Sequence, residues 1–435
     1  MKESTFEHAR RVMTRFAISL LARYAVMLFL FTGLIIAVQL IPQSAICGNI
    51  VASAKTIDQE GIKKQFFNFK LFQLDNFTDS YMLNIAASAD NSRPCESALM
   101  NYNYSSKDYF KMAADTEKVA EGNIDGLEKQ SYSRYWHGYL VFLRPLLLLF
   151  DYGQIRIINY ILFALLIGAC CVLLYRKVSK AVCWMFLASL VIINFYVVPY
   201  TMQFSTCFYI ALISMFLLMK FERLSNNALT TLMTFFTIGG VTSYLDFLTT
   251  PQLTLGLPII TLLLMKKQHN AVKWVIGLSV VWTMGYAMVW ASKWMVGYLL
   301  TGNNLLADAM QSLELRTGDS YKGMHMTFSN ICSFIWTKLE QKNLIWSIYM
   351  LVLVFVLAIG IYIKALKCKA ALKQYGWLLI VAMIVPVWFC FTRNHSIQHG
   401  WFTWRAGLLT LYSMLLFIWY TTDIRQLFNF KKTTK

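Results

Sequence analysis

Acidic residues are scarce in this chain. Only 22 Asp and Glu stand against 40 Lys and Arg in 435 residues, and charged residues together make up 14%. Soluble domains average roughly 25%. With 57% hydrophobic residues, the chain has more apolar surface than a soluble globule can bury. Its nine Cys contain no CxxC pair, which excludes the common zinc-ribbon and thiol-redox patterns. No HExxH and no Gly-rich phosphate loop occurs, so the zincin and P-loop signatures are excluded as well. No internal repeat of the kind common in transporters is visible. The formal net charge of +18 suits nucleic acid in principle. Here the cations flank apolar runs instead of forming one patch, so no nucleic-acid partner is expected.

What the chain does have is a series of apolar runs near the roughly 20 residues that cross a bilayer. They fall at 24–41, 155–175, 181–199, 205–219, 228–248, 252–265, 274–300, 344–363, 376–391 and 406–421, which reads as about ten crossings. The first run follows a basic stretch with Arg10, Arg11, Arg15 and Arg23. It is long for a secretory h-region and lacks a small-residue cleavage site, so it reads as a retained span. The segment 137–151 is too short to cross comfortably and carries Arg144 and Pro145. It suits a helix lying in the interface, with a hairpin dipping into the membrane as the alternative.

Charge orients these runs. Arg176, Lys177, Lys180, Lys220, Arg223, Lys266, Lys267, Lys273, Lys364, Lys367, Lys369, Lys373, Arg425, Lys431, Lys432 and Lys435 fall on one side. The short opposite turns at 199–205 and 249–251 carry no Lys or Arg. The positive-inside rule then puts both termini in the cytoplasm. The expected organisation is all-α and polytopic: a cytoplasmic N-terminus and first span over 1–41, a helical extracytoplasmic loop with its interface helix over 42–151, and the remaining bundle over 152–435 with an outer loop at 301–342.

Four polar clusters face the outer side in this orientation. Asp75 and Asp79 stand four residues apart before the run Tyr81 to Ala87. If that run is helical, Asp79 sits at its start, where free backbone N–H groups favour an anion. The plainer reading makes Asp79 an N-cap and Asp75 a solvated loop acid. His137 lies in Ser133-Arg134-Tyr135-Trp136-His137-Gly138-Tyr139, which continues to Arg144. Asp246 lies at the outer end of a span. Arg393, His395, His399 and Arg405 form the fourth cluster with Trp401 and Trp404. A charge at membrane depth is costly and faces a protein interior or a water-filled cavity, which marks Arg144 and Asp246 as substrate-site candidates or as halves of a structural ion pair. The i, i+4 pair His395/His399 fits hydrogen-bond donors better than a metal site. Cys47 and Cys95 are candidates for a disulfide, with Cys332 a competitor. Asn76, Asn103 and Asn394 head glycosylation-acceptor triplets, a weak signal.

A retained first span, a large outer loop with acids near its start, interface helices and many further spans resemble the glycosyltransferase C superfamily. The stretch Asp79-Ser80-Tyr81 through Ala86 resembles that family's acidic motif, with Ser80 where a second acid is common and Asp75 left to supply it. The resemblance implies an integral enzyme of the bacterial cytoplasmic membrane. It would move a sugar from a polyprenyl-phosphate donor to an extracytoplasmic glycan or lipid-linked acceptor, with inversion. Asp79 is then the expected base, with Asp75 or Asp246 orienting the acceptor or a metal. Arg144, Arg393, Arg405, His395 and His399 are expected at the donor phosphate, with His137 also in the substrate site. Whether a divalent cation takes part stays open. Two other classes remain: a surface-polysaccharide polymerase or ligase, and a lipid-linked glycan flippase without chemistry. A polymerase or ligase usually carries its large outer loop late in the chain, whereas here it comes first.

Overall fold

The computed structural model describes residues 2–68, 72–266, 270–318 and 369–422, with a few more between 320 and 333. The expected span at 344–363, Lys267, His269, Cys332, Lys364, Lys367 and the basic C-terminal tail lie outside them. The chain is helical almost throughout, with only two small two-stranded sheets among the described residues.

Among the described residues, seven helices are long and apolar enough to cross a membrane: Glu7–Gln39 within α1 (Lys2–Gln39), α7 (Tyr152–Lys177), α9 (Met202–Lys220), α10 (Ala228–Leu245), α12 (Ala271–Thr301), and the segments Ala371–Phe391 and Arg393–Thr421. Two shorter apolar helices are α8 (Lys180–Ile192) and α11 (Gln252–Lys266). The run expected at 181–199 is thus cut short. Asn194 turns left-handed at φ 57, and a tight 3-10 turn containing Pro199 follows.

Burial separates the outside of the bundle from its centre. In α1 and α7 only 22% of the most apolar window is buried, against 67% in α9 and 78% in Arg393–Thr421. The outer helices present Leu21, Phe29, Ile157, Ile161 and Leu165 outward. An apolar surface this extensive belongs against lipid. α11 sits at the centre, buried from Gln252 to Leu264.

Helices α10 and α12 cross in close contact. A Cβ at Gly239 would collide with the Trp282 carbonyl, and one at Gly285 with the Phe236 carbonyl. Small residues let the two backbones meet, as membrane helices commonly require. Gly285→Leu should therefore force the pair apart. The expected result is little or no monodisperse protein after detergent extraction, measured by size-exclusion chromatography, while Gly168→Leu on α7, where a Cβ meets nothing within 4 Å, should extract normally.

Residues 42–151 form a cap at one end of the bundle. It contains α2 (Gln43–Glu60), α3 (Asn76–Ala87), α4 (Pro94–Met100), β1 (Tyr102–Ser105), α5 (Met112–Ala120), β2 (Glu128–Ser131) and α6 (Leu140–Leu147). β1 and β2 pair antiparallel, Tyr102 opposite Ser131. α3 packs on α2, α5 and the start of α9, while α4 packs on α1 and α12. The helix expected over 137–151 shrinks to α6, because His137 is left-handed at φ 55 and Asp151 already caps α7 in a capping box with Gln154. Phe142 of α6 and Leu149 just past it stay 60% and 72% exposed.

Candidate active site

A cavity of about 300 Å³ lies between the cap and the bundle. Its lining brings together Asp75 from the start of α3, Arg134 and His137 from the segment before α6, Gln203 from the start of α9, and His395 and His399 from the start of Arg393–Thr421. Aromatic rings close the walls: Tyr81, Tyr109, Tyr132, Tyr139, Phe247 and Trp401 among them. The volume is at the lower end for a small-molecule pocket.

Helix α3 begins one turn earlier than the apolar run suggests. Asp75, not Asp79, is its N-cap, accepting the Thr78 N–H at 3.1 Å. The Asp75 backbone N–H reaches Thr201 Oγ1 at 3.4 Å. Asp75 is only 3% exposed, and burial pushes its carboxyl up to about 6 against the pull of Thr78 and of the Arg405 charge. A carboxyl near that value exchanges protons close to neutral pH.

Asp79 does not line the cavity. It is buried beneath it, with Oδ2 accepting the Tyr152 hydroxyl and Oδ1 accepting the Met202 N–H at 3.1 Å. Burial raises its carboxyl to about 8, opposed by the Arg156 charge and the Tyr152 hydroxyl. Behind it, Arg156 grips Glu60 at 2.8 and 2.9 Å and Asn76 Oδ1 at 2.7 Å. The guanidinium lies 4.5 Å over the Tyr152 ring. This network ties α2, α3, α7 and α9 into one wall and sets the position of Asp75 above it.

The other expected residues divide between cavity and scaffold. His395 and His399 lie along one helix face with ring centroids 4.7 Å apart and planes tilted by 46°, and both line the cavity. His137 also lines it, but its ring is held in place by the Tyr132 carbonyl at 2.8 Å and the Tyr139 hydroxyl at 3.3 Å. Burial, helped by the Lys293 charge, pulls its pKa down to about 3. It is a neutral wall residue at physiological pH. Arg405 is buried outside the lining, 4.4 Å over the Phe204 ring, and its charge acts on Asp75. Arg393 is half-buried, also outside the lining, with Nε donating to the Cys390 carbonyl at 3.3 Å.

Arg144 is a scaffold clamp. Its Nε donates to the Val38 carbonyl at 2.8 Å, Nη2 to the Ile41 carbonyl at 2.6 Å, and Nη1 to the Ala86 carbonyl. Val38 and Ala86 lie in the last turns of α1 and α3, where helix carbonyls run out of intrahelical donors, and Ile41 lies just past α1, its carbonyl shared with Asn91 Nδ2 at 2.7 Å. Asp246 closes a local turn, accepting from the Thr249 N–H at 2.9 Å and from the Thr249 hydroxyl. Neither lines the cavity, though Phe247 beside Asp246 does.

Several cavity residues fall outside the expected set, Arg134, Gln203 and Tyr132 among them. Arg134 stacks 4.2 Å over Tyr132 and pairs with Asp308 of α13 (Leu306–Thr317) at 3.5 Å. Gln203 is 6% exposed, and its Oε1 has no hydrogen-bond partner among the described residues. Tyr132 bridges Arg134 and His137. Gly138 lets this segment approach α10: its N–H donates to the Tyr244 carbonyl at 2.9 Å, and a Cβ there would come within 2.5 Å of the same oxygen. Arg134 is three residues from His137 in the chain, but no spacing sets it apart from Arg144 as the cation of the site.

Asn76 and Asn103 are fully buried and Asn394 nearly so, which excludes the three triplets as glycan acceptors on the folded chain. Cys47 and Cys95 are separate thiols. Among the described residues no three His, Cys, Asp or Glu side chains stand close enough together to hold a metal ion. No family model, curated protein or solved structure matches the chain.

Proposed function

We propose that this chain is an integral-membrane glycosyltransferase that takes a sugar from a polyprenyl-phosphate donor and passes it to a hydroxyl acceptor outside the cytoplasm. The observation that carries the reading is the cavity, where one buried carboxylate near neutral pKa faces Arg134, His395 and His399 across aromatic walls. Its position supports the orientation expected from charge. Gln203 and Phe247 place it at the start of α9 and just past the end of α10, opposite the helix ends that carry Arg176, Lys177, Lys220 and Lys266. With α8, α11 and 344–363 counted as crossings, the reading keeps about ten spans and cytoplasmic termini.

Asp75 replaces Asp79 as the base in this reading. The acceptor O–H gives its proton to Asp75 as the oxygen bonds to the anomeric carbon. The bond from that carbon to the phosphate oxygen breaks, and polyprenyl phosphate leaves with the electron pair. One displacement inverts the centre. Arg134, a planar fork of donors, meets the departing phosphate, and His395 and His399 add hydrogen bonds. Gln203 Oε1 is placed to accept from a substrate hydroxyl, which relieves a buried unpaired oxygen. Asp79 and Arg156 hold the wall.

The test is transfer of labelled sugar from native polyprenyl-phosphate donors in membranes that contain the chain. Its pH profile carries a prediction. Asp75 must be ionised to act, and burial raises its pKa to about 6. Initial rates at low donor concentration should therefore climb as pH rises through about 6. A rising limb near the ordinary carboxylate value of about 4, or none, would count against Asp75.

A further inference from the structure

The break between α10 and α11 buries a carboxylate without a cation. Asp246 ends α10 and is 2% exposed. Its oxygens accept from the Thr249 N–H and hydroxyl, and it makes no ion pair among the described residues. The C-terminus of α10 adds its own partial negative charge at the same point. The start of α11 does not offset it, because the Leu253 and Thr254 N–H groups donate to the Thr250 and Pro251 carbonyls. A buried charge left alone in this way is costly.

The break is also rich in unpaired oxygen. Ser243 Oγ, Thr250 Oγ1 and Gln252 Oε1 are buried with no hydrogen-bond partner among the described residues. Ser243 stands three residues before Asp246, one helical turn away. Thr250 follows Thr249, whose hydroxyl meets Asp246 and, at 3.4 Å, Cys207 Sγ. The carbonyls of Phe247, Leu248 and Thr249 receive no backbone N–H among the described residues. Cys207 is one turn from Gln203 on α9, and Gln203 and Phe247 both line the cavity. The break therefore adjoins the cavity wall.

We propose that this break holds an alkali cation, Na⁺ or K⁺, against the Asp246 carboxylate. Ser243 Oγ, Thr250 Oγ1, Gln252 Oε1 and the carbonyls of the break complete its oxygen shell. Helix C-terminal ends and unwound carbonyls at membrane depth suit such an ion. One carboxylate and neutral oxygens balance a single positive charge, whereas a divalent ion would leave a net charge buried. The ion cements the α10–α11 break beside the cavity. The site does not depend on the transferase reading.

The test is thermal unfolding of the purified full chain in detergent at constant ionic strength, as sodium or potassium chloride replaces choline chloride. At least one of the two salts should raise the midpoint saturably, as a ligand of the folded state does. Asp246→Asn keeps an acceptor for the Thr249 N–H and should abolish the response. Thr250→Val is the second variant should Asp246→Asn fail to fold. It deletes an unpaired buried hydroxyl at nearly constant shape, so the midpoint in choline chloride should hold or rise. The half-saturating salt concentration should nonetheless increase about tenfold with one ligand lost. Equal midpoints in choline and both alkali salts, or variants that titrate like the parent chain, would overturn the site. A larger rise with magnesium or calcium chloride than with either alkali salt would overturn the monovalent ion as its occupant.

Discussion

Asp75→Asn should lower sugar transfer by about 10²–10⁴-fold, the range for a lost general base, and leave the protein folded. Asn is as good an N-cap as Asp, so its side-chain oxygen can still accept the Thr78 N–H that starts α3. Only the charge and the basicity go. The measurement is initial transfer rate at matched protein level, with unfolding temperature as the control. Asp79→Asn is the informative companion. It disturbs acceptors of the Tyr152 hydroxyl and the Met202 N–H, so it should lower stability as well as rate. A variant at Asp75 that transfers at the parental rate would remove it as the base. A selective loss of rate in Asp79→Asn, with stability intact, would return the role to the residue favoured by the sequence motif.

Arg144→Met should cost more stability than the substitutions at Asp75 and Asp79. The side chain is fully buried, and its three hydrogen bonds end two helices. A hydrogen bond to a charged group contributes roughly 1.5–3 kcal/mol, and Met removes all three of them, leaving the Val38 carbonyl to the Ile41 N–H and the Ile41 carbonyl to Asn91 Nδ2 alone. A loss of at least about 3 kcal/mol is expected, set against typical total stabilities of about 5–15 kcal/mol. Little folded protein should survive extraction. Arg144→Lys should recover only part, since one ammonium cannot reproduce a fixed fork across three carbonyls. Yield and unfolding midpoint decide the matter. Normal stability with impaired donor use would instead make Arg144 the phosphate ligand that its depth in the sequence suggests.

The helical membrane class is legible in the sequence because hydropathy is a local property that needs no partner. The i, i+4 spacing of His395 and His399 likewise puts both on one helix face by helical geometry alone. Asp75 and Asp79 show where such reading stops. They are one helical turn apart, and the packing of α3 against α2, α5 and α9 decides which one opens to the cavity. Nothing within the motif reports that packing. Arg144 carries the same lesson, since a buried guanidinium bound to carbonyls looks like a phosphate ligand in sequence. Tyr152, Arg156 and Gln203 give no signal, being single polar residues at helix ends whose partners lie on other helices. Asp246 is the opposite case: its partner Thr249 is three residues away, and the turn they form is open to a local reading.

The proposed transfer takes place in the cavity beneath the cap. The most direct measurement is a cryo-EM structure of the chain with a polyprenyl-phosphate sugar bound. The sugar should lie between Asp75 and the aromatic walls, with the phosphate against Arg134, His395 and His399 and the Asp75 carboxylate facing the anomeric carbon. Donor density elsewhere, with Asp75 and Arg134 untouched, would contradict it.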